Sequence, residues 1–323
     1  KVPANYPFLV SQMSREIHTM KLWNRYLTPG SVEEALGLLR QHGGAAQVIA
    51  GGTDLLLDIR QGNHPPADVL IDITCIPELG QIVQQGDVVT VGAGVTHSEI
   101  VRSAALAARA TCLVESCGVV GGPQVRNVAT LGGNVAHALP AADGTTSLVA
   151  LDAEAEIVQG GERRWVPIGA MFKGAGQSLL DPTHDLLLNL RFRLCGAGEA
   201  TAFTRIMRPQ GVALPVLGCA VWVRLAEDGQ TVEDARICIG PVAPVPTRAA
   251  SVEAVLRGAR FDDDVLDRVA ETARRDLHPR TSKYRATADY RVEMIEVVLR
   301  RVLPLAVERA RSGEAVPQGI GMQ

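Results

Sequence analysis

The chain has 323 residues, of which 46% are hydrophobic and 21% charged, and its formal net charge is −3. That length holds two or three compact units, each with its own core, and the balanced charge gives no reason to expect nucleic acid or an anionic membrane as partner, since either calls for a concentrated basic surface. Six scattered cysteines, Cys75, Cys112, Cys117, Cys195, Cys219 and Cys238, form no C-x-x-C pair, so small core residues are expected rather than zinc or an iron–sulfur cluster on this chain.

Residues 1–19 read as an irregular lead without the apolar stretch or small-residue cleavage site of an export signal. No apolar run approaches the roughly 20 residues of a transmembrane segment, and a cytoplasmic location is expected. A folded domain opens at Met20-Lys21-Leu22-Trp23. Ser31-Val32-Glu33-Glu34 has the form of a capping box, and Val32, Ala35, Leu36, Leu38 and Leu39 continue an amphipathic helix that Gly43 can end.

The next stretch is Val48-Ile49-Ala50-Gly51-Gly52-Thr53-Asp54-Leu55-Leu56, an apolar strand running into two glycines, a hydroxyl and a carboxylate before a short helix through Ile59. Glycine permits the turn, and a helix start leaves N–H groups without internal partners. Such a turn can hold phosphate on neutral donors, with no Lys or Arg. An ordinary turn with a helix cap uses the same residues, so this loop alone leaves both readings open. A buried strand over residues 69–73 completes a βαβ-like block.

Val88-Val89-Thr90-Val91-Gly92-Ala93-Gly94 is again strand into turn, and Thr96 with Glu99 forms a second capping box for a helix from 97 to about 108. Gly92 and Gly94 match the first two glycines of a dinucleotide fingerprint, but the third position is His97 and no acidic residue follows at the required strand end, which excludes a Rossmann unit. The glycine-heavy passage 117–129 leads to Thr130-Leu131-Gly132-Gly133-Asn134, with Asp143 beyond it. This second loop repeats the chemistry of the first, so a diphosphate held from two sides, as in a dinucleotide, is expected. A short helix runs from Asp143 to Ala150, a hairpin over 153–168 turns at Gly160-Gly161, and a strand covers 185–192. His137, just past the second loop, reads as a structural histidine and His97 as a local cap, each ahead of an acid–base role.

Cys195-Gly196-Ala197-Gly198 marks a boundary, followed by strands over 202–207, 216–225 and 232–242 and helices over 252–256, 262–277 and 286–311. Strands then helices imply an α+β unit with an antiparallel sheet covered on one face. The Arg-rich stretch 291–301 reads as a solvated helix face, and Tyr284, Arg285, Tyr290 and Arg291 either form a subunit contact or close the C-terminal unit.

The order Ala50-Gly51-Gly52-Thr53-Asp54, Gly92-Ala93-Gly94-Val95-Thr96, Arg126-Asn127-Val128-Ala129-Thr130-Leu131-Gly132-Gly133-Asn134 and Asp143 resembles the FAD-binding medium subunit of the molybdenum hydroxylases. That family includes xanthine dehydrogenase, aerobic carbon monoxide dehydrogenase and 4-hydroxybenzoyl-CoA reductase. Phe172-Lys173-Gly174-Ala175-Gly176 and Tyr284-Arg285-Ala286-Thr287-Ala288-Asp289-Tyr290-Arg291 match its later pattern. The resemblance implies an α+β fold: a two-subdomain FAD-binding domain of PCMH (vanillyl-alcohol oxidase) type over 20–197, divided near 78, then a C-terminal domain of antiparallel sheet plus helices over 198–323.

It also implies that Val48, Ile49, Ala50, Gly51, Gly52, Thr53, Asp54 and Leu55 wrap the diphosphate and flavin. Thr130, Gly132, Gly133, Asn134 and Ala136 would supply backbone and side-chain donors from the other side, Asp143 would accept from cofactor hydroxyls, and Val120 and Leu187 would pack near the rings. Some relatives carry a lysine near the flavin where Thr204 or Arg205 stands here. Carbon monoxide dehydrogenase has Gly-Gly-His-Ser where this chain has Gly-Gly-Thr-Asp, which suggests a position nearer the general hydroxylases, and the cysteine-rich insertion of 4-hydroxybenzoyl-CoA reductase has no counterpart.

The role implied is electron transfer, with FAD held non-covalently and no catalytic acid, base or nucleophile on this chain. Molybdopterin on a large partner subunit and two [2Fe-2S] clusters on a small partner subunit would complete a complex, a dimer of heterotrimers, that reduces NAD, a quinone or a protein. A stand-alone flavin oxidoreductase of the same fold is the alternative.

Overall fold

The computed structural model describes residues 21–208, 214–282 and 285–319. The lead read over 1–19 and Tyr284 lie outside the described residues.

The first unit comprises β1 (Trp23–Leu27), α1 (Val32–His42), β2 (Ala46–Ile49), α2 (Leu55–Gln61) and β3 (Ala67–Asp72), with β3 central and parallel to both neighbours. Parallel strands need crossovers, which α1 and α2 supply. Ser31 caps α1 by accepting from the Glu34 N–H at 3.1 Å, but Glu34 reaches past Ser31 to the Gly30 N–H at 2.7 Å, so the expected reciprocal box is displaced by one residue. Gly43 ends the helix at φ 51°, the left-handed conformation that glycine adopts without strain. Val32, Ala35 and Leu39 recur at helical spacing and bury against Val69 and Ile71, and also against Leu186 and Leu188 of the second unit.

That unit contains β4 (Ile82–Gln85), β5 (Val88–Gly92), α3 (His97–Arg102), α4 (Ala104–Arg109), α5 (Thr111–Gly118), α6 (Pro123–Arg126), α7 (Leu131–Ala136), α8 (Asp143–Ala150), β6 (Glu154–Gln159), β7 (Glu162–Pro167), β8 (Phe172–Gly174), β9 (Gln177–Ser178) and β10 (Leu186–Arg193). Its main sheet is antiparallel in the order β4-β5-β10-β6-β7. The single helix expected from 97 to about 108 is two. Ser103 leaves helical geometry, at φ −75° and ψ 109°, and its hydroxyl accepts from the Leu106 N–H at 3.4 Å to start α4.

The C-terminal unit pairs β11 (Glu199–Met207), β12 (Pro215–Leu225) and β13 (Val232–Gly240) in an antiparallel sheet, followed by α9 (Ala250–Leu256), α10 (Asp263–Asp276) and α11 (Ala288–Ser312). Sequence order suggested that this sheet is covered on one face; it is covered on both. α11 packs on β11 and β12 and α9 on β13, while α5 packs on β11 and α8 on β12 and β13. Ten of the eleven β12 residues are accordingly buried, and the alternation expected of a one-sided sheet is missing. Two ion pairs cross this contact, Glu115 on α5 with Arg309 on α11 at 2.6 Å and Asp143 on α8 with Arg205 on β11 at 2.7 Å. Arg291, read as part of a solvated face, is buried, and its Nη1 donates to the Arg280 carbonyl at 2.8 Å. No helix of the described residues is long and apolar enough to cross a membrane.

Candidate functional site

β2 ends at Ile49 and α2 begins at Leu55, so Ala50 to Asp54 form the turn between them. Gly52 takes φ 66°, a conformation that costs a side-chain-bearing residue energy. Among the described residues the N–H groups of Gly51, Gly52, Thr53 and Asp54 meet no backbone acceptor. Successive amides left open in this way form a concave donor array suited to phosphate oxygens. Ile49 is buried under the turn, whereas Val48, Ala50 and Leu55 are half-buried and the Asp54 side chain faces solvent.

The second loop is built differently. Thr130 caps α7, accepting from the Gly133 N–H at 2.9 Å, the Gly132 N–H donates to the Ala93 carbonyl at 3.2 Å, and the Asn134 N–H to the Thr130 carbonyl at 3.0 Å. Those backbone donors are spent inside the protein, which corrects the expectation that Gly132 and Gly133 offer them to a ligand. Gly132 is instead a point of close approach: a methyl group on it would strike the Ala93 carbonyl. Gly92 serves the same purpose against the Leu79 carbonyl, which accounts for a glycine pair without a dinucleotide fingerprint. Asn134 keeps a side chain for outside use. Its Oδ1 accepts from the Thr145 N–H and hydroxyl, each at 3.2 Å, leaving the amide nitrogen as its uncommitted end among the described residues.

The two loops meet. A Cβ on Gly51 would collide with the carbonyl oxygen of Val128, so the first turn lies directly on the strand of chain that leads into the second loop. Behind that contact, the Ala129 carbonyl accepts from the His97 N–H at 3.0 Å. His137 at the end of α7 stands 4.0 Å from Asp58 on α2, so the helices that follow the two loops come close together. His97 is not a cap. It is 1% exposed, burial and the nearby Arg126 guanidinium bring its pKa down to about 4, and its ring is neutral.

Asp143 opens α8, which the Asn134–Thr145 bonds fasten to the second loop. Its Oδ2 accepts from Arg205 Nη1 at 2.7 Å, yet burial outweighs the cation and pushes the carboxyl up to about 6. Asp143 Oδ1 and Arg205 Nε are both buried without a partner among the described residues. The sequence pointed to Asp143; the attachment of Arg205 and the approach of Arg285 come from the C-terminal unit and were signalled only by the lysine of some relatives and by the 284–291 motif. Of the remaining expected residues, Val120 is half-buried beside Gly121, Ala136 is exposed, and Leu187 lies in the core opposite Ile157 on β6.

Residues 18–192 match the model of the FAD binding domain in molybdopterin dehydrogenase, and residues 201–306 that of the CO dehydrogenase flavoprotein C-terminal domain. The chain is 32% identical over 288 residues to the carbon monoxide dehydrogenase medium chain of Hydrogenophaga pseudoflava, covering 88% of this chain and 97% of that one. This chain belongs to the FAD-binding medium subunits of the molybdenum hydroxylases. The xanthine dehydrogenase FAD-binding subunit of Escherichia coli O157:H7 is 27% identical, with 88% and 96% covered. Overall identity to the carbon monoxide dehydrogenase chain is therefore the higher of these two, although the first loop reads Gly-Gly-Thr-Asp. The likeness extends to three dimensions: a solved carbon monoxide dehydrogenase from Hydrogenophaga pseudoflava superposes with a TM-score of 0.82 at 33% identity, over 88% of this chain and 97% of that chain. Quinoline 2-oxidoreductase from Pseudomonas putida 86 gives 0.81 at 26%, over 89% and 98%.

As a medium subunit the chain is the FAD-binding oxidoreductase component of its class, and its residues can be tested against that cofactor. Four open amides at Gly51 to Asp54, the Asn134 amide and the unpartnered Asp143 oxygen offer donors for phosphate and an acceptor for a hydroxyl. That donor set fits a group bearing a diphosphate and a polyol chain.

Proposed function

We propose that this medium subunit holds FAD non-covalently and relays electrons within a molybdenum hydroxylase, from [2Fe-2S] clusters on a small partner subunit to NAD, a quinone or a protein acceptor. The observation that carries the reading is the contact of Gly51 with Val128, which brings the open amides of the first turn against the second loop. Bound flavin supplies the conversion of single electrons into pairs.

The chain's own residues bind and orient. Gly51, Gly52, Thr53 and Asp54 provide backbone donors for the diphosphate, on the surface prepared by Val48, Ile49, Ala50 and Leu55. Thr130, Gly132 and Gly133 shape the second loop without donating, Asn134 donates through its side chain, and Ala136 and Val120 flank the site. Asp143 accepts from a cofactor hydroxyl, and Leu187 backs the site from the core. Oxidation of the organic substrate then falls to molybdopterin on a large partner subunit, and the same reading gives a cytoplasmic dimer of heterotrimers.

The test is reconstitution of the purified full chain with FAD. Flavin absorbance should stay with the protein through gel filtration, and denaturation should release free FAD. Failure to retain flavin, or release of FMN, would overturn the reading.

A further inference from the structure

Asp143 belongs to the unit that carries both loops, whereas Arg205 comes from β11 of the C-terminal sheet. Their side chains are 6% and 9% exposed, joined by one bond of 2.7 Å from Arg205 Nη1 to Asp143 Oδ2. A buried carboxylate oxygen left without a donor is destabilising, and Asp143 Oδ1 is such an oxygen among the described residues. The same oxygen would lie 3.5 Å from a Cβ on Gly218, so the β12 backbone passes close to it. The carboxylate is thus held from one side by the C-terminal unit, with its second oxygen uncommitted.

Resting on the flavin-carrying reading above, we propose that Arg205 is a positioning residue: from the C-terminal sheet it fixes Asp143 as an ionised acceptor, and FAD affinity depends on Arg205 through Asp143. Among the described residues, the charged and titratable groups that face Asp143 are Arg205 on β11, Arg285 ahead of α11 and Cys117 on α5. Burial pushes Asp143 up to about 6 while both arginines pull it down, so loss of Arg205 leaves it protonated at neutral pH.

The experiment titrates FAD into the deflavinated full chain, followed by flavin fluorescence from pH 5 to 8, for wild type, Arg205→Met, Asp143→Asn and the double variant. Wild-type Kd should rise about tenfold per pH unit below about 6. Arg205→Met should move that midpoint up by about one to three units and weaken binding about tenfold at pH 7. In the Asp143→Asn background the same change should have no further effect and no midpoint should remain. A wild-type midpoint retained in Arg205→Met, or an equal loss on adding Arg205→Met to Asp143→Asn, overturns the positioning role and leaves the flavin-carrying reading intact. A wild-type chain that binds no FAD at any pH overturns that reading itself. If Arg205→Met does not fold by circular dichroism, Arg205→Gln, which removes the charge but keeps a polar side chain, takes its place in the cycle with the same two readings.

Discussion

Gly51 is where the first turn touches the chain that leads into the second loop, because its hydrogen occupies the place where a methyl group would meet the Val128 carbonyl. Backbone on both sides leaves no flexible side chain to give way. Gly51→Ala should therefore push the two loops apart, lowering stability by about 1–3 kcal/mol and abolishing FAD retention, as read by thermal unfolding and flavin absorbance. An unchanged flavin content would show that the loops need not touch. His97 supports a prediction about pH. Its ordinary value is 6.5 and its folded value about 4, so the unfolded chain binds the proton more tightly. Stability tied to His97 is complete above about 6.5 and falls by about 3 kcal/mol as the pH drops to about 4. Asp143, raised from 3.8 to about 6, acts with the opposite sign over an overlapping window. The effect is therefore read as the difference between wild type and His97→Gln in urea denaturation. The variant should gain relative to wild type as the pH falls from 6.5 to 4, and parallel curves would contradict a buried neutral imidazole.

At the scale of elements, hydrogen-bonding side chains set where helices begin. Thr96 and Glu99 form a complete capping box, with the Thr96 N–H donating to the Glu99 carboxylate at 2.8 Å and the Glu99 N–H to the Thr96 hydroxyl at 3.3 Å. Thr96→Ala should cost about 1 kcal/mol in chemical denaturation, and a loss within error would mean that tertiary contacts alone hold α3. Much of this was legible in the sequence. Both loop motifs, the Gly160-Gly161 hairpin and the three C-terminal strands are written in turn residues and in periods that local chemistry dictates. α5 was not legible. All eight of its residues are buried, Thr111, Glu115 and Ser116 included, so its polar residues mark no solvent face and the amphipathic period that signals a surface helix is missing. The internal use of the Gly132 and Gly133 amides was equally hidden, because a glycine needed for close packing and one needed to free an N–H look alike in sequence. The pairing of Arg205 with Asp143 was hidden as well, because the two lie 62 positions apart and residue types alone do not reveal such pairs.

For the molecule as a whole, the decisive feature is the C-terminal sheet enclosed between α9–α11 and the helices α5 and α8. Glu115 lies at its centre. It accepts from Arg309 Nη2 at 2.6 Å, from the Phe203 N–H at 2.7 Å and from the Gln318 N–H at 2.8 Å, so one carboxylate joins three distant parts of the chain. Arg309→Met would leave that charge buried without its cation, and a loss of about 3–5 kcal/mol is expected, measured by urea denaturation. Glu115→Gln combined with Arg309→Met should recover part of it, and a double variant no more stable than Arg309→Met would argue against charge burial as the cause. The shared core also bears on how such a gene can be divided. Residues 192 and 201, where the two family models stop and start, are a seam in ancestry but not in mechanics: a fragment ending there would bare the flanks of α5 and α8 to water, and should aggregate rather than survive as a detachable flavin module.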